Sequence, residues 1–303
     1  MSLRKKLASD IEVARRDIRQ GRFQRSMALM TAASAVVSGF EAYAQHQRGD
    51  FDDPWMWTPV WLTPPTAAAG LAAVVSKRAA RTVLPAASIV SLVDGMIGFG
   101  YHLRGIRRLP GGFKLGRYNL VMGPPVFAPL LLGTVGVTGL IASMLRREKR
   151  STQRTFFPPP RRGRVREGVF DIETGRFQQG MAIVSAVFAV IAGGEAYFEH
   201  LRGSYNQPVM WTPVWVTPPM AGAAVGSIFS RQIASEVLPL AAMVTFFDGL
   251  LGFALHLRGI YRMPGRFANL RFNVTMGPPL FAPLLFTAVG LLGMISSLLR
   301  RSK

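Results

Sequence analysis

The chain has 303 residues, 49% hydrophobic and 17% charged, with 36 Lys and Arg against 16 Asp and Glu, a net charge of +20 and no cysteine. Without cysteine there are no disulfides, thiolate metal sites, Cys-ligated iron–sulfur clusters or thioether-attached haem. A mean hydropathy of +0.24 is too apolar for an ordinary soluble domain. The surplus positive charge flanks apolar runs, which fits anionic lipid headgroups rather than nucleic acid.

Residues 1–25 are basic, and Leu3, Leu7, Ile11, Ala14 and Ile18 recur at helical spacing. This pattern predicts an amphipathic helix over 3–19 on a cytoplasmic membrane surface, and not a signal peptide. Apolar spans follow over roughly 26–45, 60–76, 83–103 and 120–145, then 180–199, 214–230, 237–257 and 274–299. Each is long enough for a hydrocarbon layer ~30 Å thick. Between the two sets lies a basic Pro/Arg-rich linker, 148–175, with Phe156-Phe157-Pro158-Pro159-Pro160 near its start.

The two sets are copies. Arg22–Arg147 aligns with Arg176–Arg301 without a gap, and about half of the paired residues are identical. Trp57-Thr58-Pro59-Val60-Trp61 falls on Trp211-Thr212-Pro213-Val214-Trp215, and Gly123-Pro124-Pro125 on Gly277-Pro278-Pro279. The expected fold is therefore an all-α integral membrane protein. Its eight transmembrane helices form two tandem parallel four-helix repeats, 26–147 and 176–303, each made of two helical hairpins.

Most Lys and Arg fall in segments 1–25, 76–82, 146–176, 231–236 and 300–303. That bias puts both termini in the cytoplasm of a cell whose inner membrane holds the protein. All five tryptophans then fall at the outer face. The loops 104–119 and 258–273 oppose the bias, with Arg104, Arg107, Arg108, Lys114 and Arg117, then Arg258, Arg262, Arg266 and Arg271, and no acid. Such loops suit lipid phosphates, an anionic ligand or an acidic partner subunit at the outer face.

Every histidine lies in one phrase: His46-Gln-Arg-Gly, His102-Leu-Arg-Gly, His200-Leu-Arg-Gly and His256-Leu-Arg-Gly. Three readings stay open. The phrase can end a helix, with Gly in the left-handed position and His and Arg against the negative dipole end. The histidines can ligate haem b, with Arg48, Arg104, Arg202 and Arg258 pairing with its propionates and Gly95, Gly98 and Gly100 making room for a flat ring. They can also pass protons outward from Asp94 and Asp248, in a pump or in quinol oxidation.

Glu41 and Glu195, near the outer ends of the first helix of each half, and Asp94 and Asp248, near the middle of the third, suit proton relay or inter-helix packing. Asp94 and His102, eight residues apart, stand about 12 Å apart along a helix and cannot share an ion. His46 and His102 end at one membrane level, as do His200 and His256.

The prolines are expected at helix starts, giving a rigid bundle without the midplane breaks of transporters. Soluble-enzyme motifs are absent: no phosphate loop, no dinucleotide phrase and no His-Glu-x-x-His, so a stand-alone hydrolase is not expected. Two parallel four-helix halves resemble, in outline alone, the quinol-reactive membrane subunits of the NrfD type. The expected function is a membrane subunit of a larger complex, anchoring a partner and carrying electrons through haem b or quinone. A small-ion or proton transporter using Asp94 and Asp248, and a structural protein without cofactor, are the alternatives.

Overall fold

The computed structural model describes residues 22–145 and 176–300, and among these the regular structure is entirely helical. The helix expected over 3–19 and the linker 148–175 lie outside the described residues. In the first half, α1 (Arg22–Gln47), α2 (Thr58–Val75), the short α3 (Lys77–Arg81), α4 (Val83–Arg108), the short α5 (Gly116–Met122) and α6 (Pro129–Leu145) follow in order. In the second half, α7 (Arg176–Arg202), α8 (Thr212–Phe229), α9 (Leu238–Arg262), the short α10 (Leu270–Met276) and α11 (Leu284–Arg300) repeat that order. A π-helical turn over Ile233–Val237 stands where the first half has α3.

Among the described residues, four helical segments are long and apolar enough to cross a membrane: Gln24–Gln47, Val83–Arg108, Phe177–Arg202 and Ile233–Arg262. Two further apolar stretches, Pro129–Met144 and Leu284–Ser297, are shorter. Each half is a four-helix bundle in which α1 packs on α2, α2 on α4, α4 on α6 and α6 on α1, with the same circuit in α7, α8, α9 and α11.

Small residues set the spacing. A Cβ on Gly95 would lie 2.6 Å from the Gly133 nitrogen, and one on Gly136 would lie 2.5 Å from the Ser88 carbonyl, so α4 and α6 touch backbone to backbone. Gly249 and Gly290 play the same part between α9 and α11. Gly70 meets Ala28 and Ala32 in the same way, seating α2 on α1. Side-chain hydroxyls complete these contacts: Thr66 and Ser91 share a hydrogen bond of 2.9 Å, and Thr31 donates to Thr138 at 3.4 Å.

The structure corrects three expectations. The stretches 120–145 and 274–299 are not single helices. α5 stops at Met122 and α6 starts at Pro129, because Pro124 and Pro125 have no N–H to offer and push the residues before them into extended backbone; Gly123 has ψ −169°. The same break lies between α10 and α11, around Pro278-Pro279.

Pro64-Pro65 and Pro218-Pro219 lie inside α2 and α8 rather than at their starts. The Val60 carbonyl, left without its helical donor, accepts the Thr63 hydroxyl at 3.3 Å. Finally, α4 runs to Arg108 and α9 to Arg262, so the first residues of the expected loops 104–119 and 258–273 are helical.

Candidate functional site: the histidine end of the bundle

The breaks expose backbone groups that a helix would have satisfied, and an apolar environment penalises each one left bare. Side chains from the other half take them up. The Glu41 carboxylate accepts the Phe281 N–H at 3.0 Å, and Glu195 accepts the Phe127 N–H at 2.8 Å. Arg202 donates to the Val121 carbonyl at 2.7 Å and to the Gly123 carbonyl at 2.6 Å. Arg48 donates in the same manner to the carbonyls of Thr275 and Gly277. Each contact recurs between the counterpart residues, with the roles of the two halves exchanged, so the halves grip one another reciprocally.

Arg48 also lies within electrostatic reach of Glu41, Glu199 and Arg202. Here the copies differ. Gln45 donates to Glu41 at 2.7 Å, whereas its counterpart Glu199 forms an ion pair with Arg202 at 3.2 Å. The second carboxylate oxygen of Glu199 is buried and has no hydrogen-bond partner among the described residues.

The histidines close each break from within its own half. His102 Nδ1 bonds the Pro125 carbonyl at 2.5 Å, and His256 Nδ1 bonds the Pro279 carbonyl at 2.6 Å. His46 and His200 bond the carbonyls of Met56 and Met210, just before α2 and α8, at 2.7 and 2.6 Å. Carbonyls only accept, so each Nδ1 carries a proton, and in the neutral ring each Nε2 keeps a lone pair. The expected meeting of imidazoles occurs: His46 and His102 have ring centres 6.4 Å apart, and so do His200 and His256.

The helix-ending reading of the histidine phrase needs correction. After α1 and α7 the left-handed residues are Asp50 and Phe51, and Ser204 and Tyr205, not Gly49 or Gly203. Phe51 and Tyr205 hold that conformation by stacking on Trp57 and Trp211 with centroids 3.8 Å apart. The phrases at His102 and His256 lie within α4 and α9. There Gly105 and Gly259 let the helix pass Pro124 and Pro278, with Cβ positions 3.0 and 3.1 Å from the ring carbons.

The acids divide by position. Glu41 and Glu195 serve the boundary between halves. Asp94 faces the Thr58 hydroxyl at the start of α2 and is within electrostatic reach of His46; Asp248 faces the Thr212 hydroxyl. Arg104 and Arg258 are exposed. Gly95 and Gly98 are occupied by α6, while Gly100 has open space around it.

Asn119 and Asn273 belong to no motif yet hold the chain together at this end. Asn119 Nδ2 donates to the carbonyls of Pro110 and Gly112 at 3.0 and 2.7 Å, and Asn273 to those of Pro264 and Arg266 at 3.0 and 2.8 Å, latching the turn after α4 and α9. Their signal was present in the repeat: both are buried polar residues at aligned positions. Among the described residues no three His, Asp or Glu side chains gather closely enough to hold a metal ion. Comparison with family models, curated proteins and solved structures finds no match to this chain.

Proposed function

We propose that the chain is an eight-helix integral membrane protein whose two histidine pairs are equivalent bis-imidazole sites for haem b. One observation carries the reading. An imidazole nitrogen ligates a metal at ~2.0–2.1 Å, so two rings that would hold one metal must stand close enough for both nitrogens to reach it. The observed separation is 6.4 Å in both halves.

The fixed tautomer supports it, because Nδ1–H bonded to a backbone carbonyl orients the ring and leaves Nε2 as the ligand. A bare ion would have two protein ligands, whereas a macrocycle supplies the remaining four. The histidines suit the metal, whereas the space expected beside Gly95 and Gly98 is filled by α6 and the propionates lack their arginines. Arg48 and Arg202 are committed to carbonyls of the opposite half, and Arg104 and Arg258 are exposed two residues beyond their histidines.

When bound, haem b supplies one-electron transfer. The chain's own part is to hold two neutral imidazoles in position from helices on opposite corners of each bundle. The eight helices include α2, α6, α8 and α11, which are shorter than the other four and each fill one corner of a bundle. A reduced-minus-oxidised optical spectrum of detergent-purified protein tests the assignment.

The alternative is a scaffold without cofactor, in which the same side chains exist to satisfy broken backbone. It is favoured by the use of Glu41, Glu195, Arg48, Arg202 and all four Nδ1 atoms on main-chain groups. Proton flux in proteoliposomes that disappears in Asp94→Asn plus Asp248→Asn would instead assign transport.

A further inference from the structure

After α4 the chain turns through Gly111, at φ 76°, into a 3₁₀ turn over Gly112–Leu115 and then α5. After α9 it turns through Gly265, also at φ 76°, into a 3₁₀ turn over Arg266–Asn269 and then α10. Both hairpins lie at the histidine end, since the break following each short helix is bonded by His102 or His256. They expose large apolar side chains, Phe113, Leu115, Tyr118 and Met122 in one and Phe267, Leu270, Phe272 and Met276 in the other.

Among these stand exposed cations. Arg104, Arg107, Arg108, Lys114 and Arg117 are all exposed on the first hairpin, and Arg258, Arg262, Arg266 and Arg271 on the second. Arg266 stacks over the Tyr261 ring at 5.1 Å; the others form no ion pair among the described residues. The alignment of the copies pairs Phe113 with Phe267, Tyr118 with Phe272, Met122 with Met276, Arg108 with Arg262 and Arg117 with Arg271.

Short helices that expose apolar and basic side chains together, at the ends of membrane-crossing helices, lie in the headgroup layer. Their apolar groups enter the acyl boundary while the guanidinium forks bind phosphate. A soluble acidic partner would meet the cations but would leave the apolar residues without a use. We infer that each hairpin is an outer-leaflet binding site for an anionic phospholipid headgroup. The first is the stronger, because it packs on α7, whose following loop has no acid, whereas α10 packs on α1, whose following loop carries Asp50, Asp52 and Asp53.

The site rests on the membrane reading above and is independent of haem. The five tryptophans report on it, since Trp55 stacks on Tyr101, beside His102, and Trp57 and Trp211 lie against the histidine loops. Full-length protein is reconstituted into phosphatidylcholine vesicles containing equal fractions of brominated phosphatidylglycerol or brominated phosphatidylcholine, and tryptophan quenching is measured.

The expected result is a preference for phosphatidylglycerol of about 3-fold or more at low salt, declining as salt is raised. It should fall to near parity when Arg108, Arg117, Arg262 and Arg271 are changed to Gln, and persist when they are changed to Lys. Arg104 and Arg258 are left intact so that no change arises beside the histidine pairs. Equal quenching by the two lipids in the unaltered chain, or a preference that survives the four Gln changes, overturns the site alone. So does loss of the preference to soluble polyglutamate, which assigns the patch to an acidic polypeptide. Failure to incorporate into vesicles overturns the membrane reading itself.

Discussion

Arg48 donates to the carbonyl oxygen of Gly277, across the boundary between the two halves of the chain. The mirror contact, from Arg202 to Gly123, makes the boundary a reciprocal clasp in which each half repairs the broken helix of the other. The clasp explains why a Glu and an Arg about two helical turns apart occur toward the end of the first helix in both copies.

Replacing Arg48 or Arg202 by Gln leaves two carbonyls without a charged donor. With Arg48 exposed and Arg202 half-buried, each change should cost about 1–2 kcal/mol. Lys should recover only part of it, because an ammonium cannot span two carbonyls as a guanidinium fork does. Thermal unfolding in detergent, read by circular dichroism, measures both. The pair of changes together should cost more than the sum of the singles, since each single change already relieves the repulsion between the two arginines across the boundary.

Glu41 and Glu195 act as acceptors for the N–H groups of Phe281 and Phe127. Glu→Gln keeps an acceptor oxygen and should be nearly neutral at either site, whereas Glu→Leu strands the N–H and should cost about 1–3 kcal/mol. Equal losses for Gln and Leu in the same unfolding assay would show that charge, not acceptance, is what the site needs.

Gly95 and Gly100 separate packing from helix propensity within one helix. Gly95→Ala places a methyl against the Gly133 nitrogen and the Pro129 carbonyl, 2.6 and 2.8 Å away, so α4 and α6 must move apart at a cost of about 1–3 kcal/mol. Gly100→Ala meets nothing within 4 Å and should be neutral or slightly stabilising, consistent with Ala254 at the aligned position. Melting temperatures of the two variants should move in different directions.

The long helices and the pairing of imidazoles were legible because both rest on one-dimensional facts, apolar length and the offset between copies. The breaks were less so: Gly123-Pro124-Pro125 looks like a helix start when only the missing N–H is counted. Its effect on the preceding residue, and the need to satisfy the freed carbonyls, emerge only when Arg202 and His102 are seen bonded there. The partners of Glu41 and Arg48 were hidden for the same reason, lying more than two hundred residues away in the sequence. Asn119 was legible in principle, as a polar residue preserved between copies, but no motif singles it out.

The histidine pairs are tested most directly by the reduced-minus-oxidised spectrum of full-length protein purified in detergent from cells supplied with a haem precursor. The account expects a Soret band and low-spin α and β bands, with about two haems per chain. His102→Ala should remove about half of the signal, and His102→Ala plus His256→Ala all of it. A folded, haem-free preparation of the unaltered chain, or a spectrum indifferent to both substitutions, would contradict the account and leave the histidines as the clasps of a broken-helix scaffold.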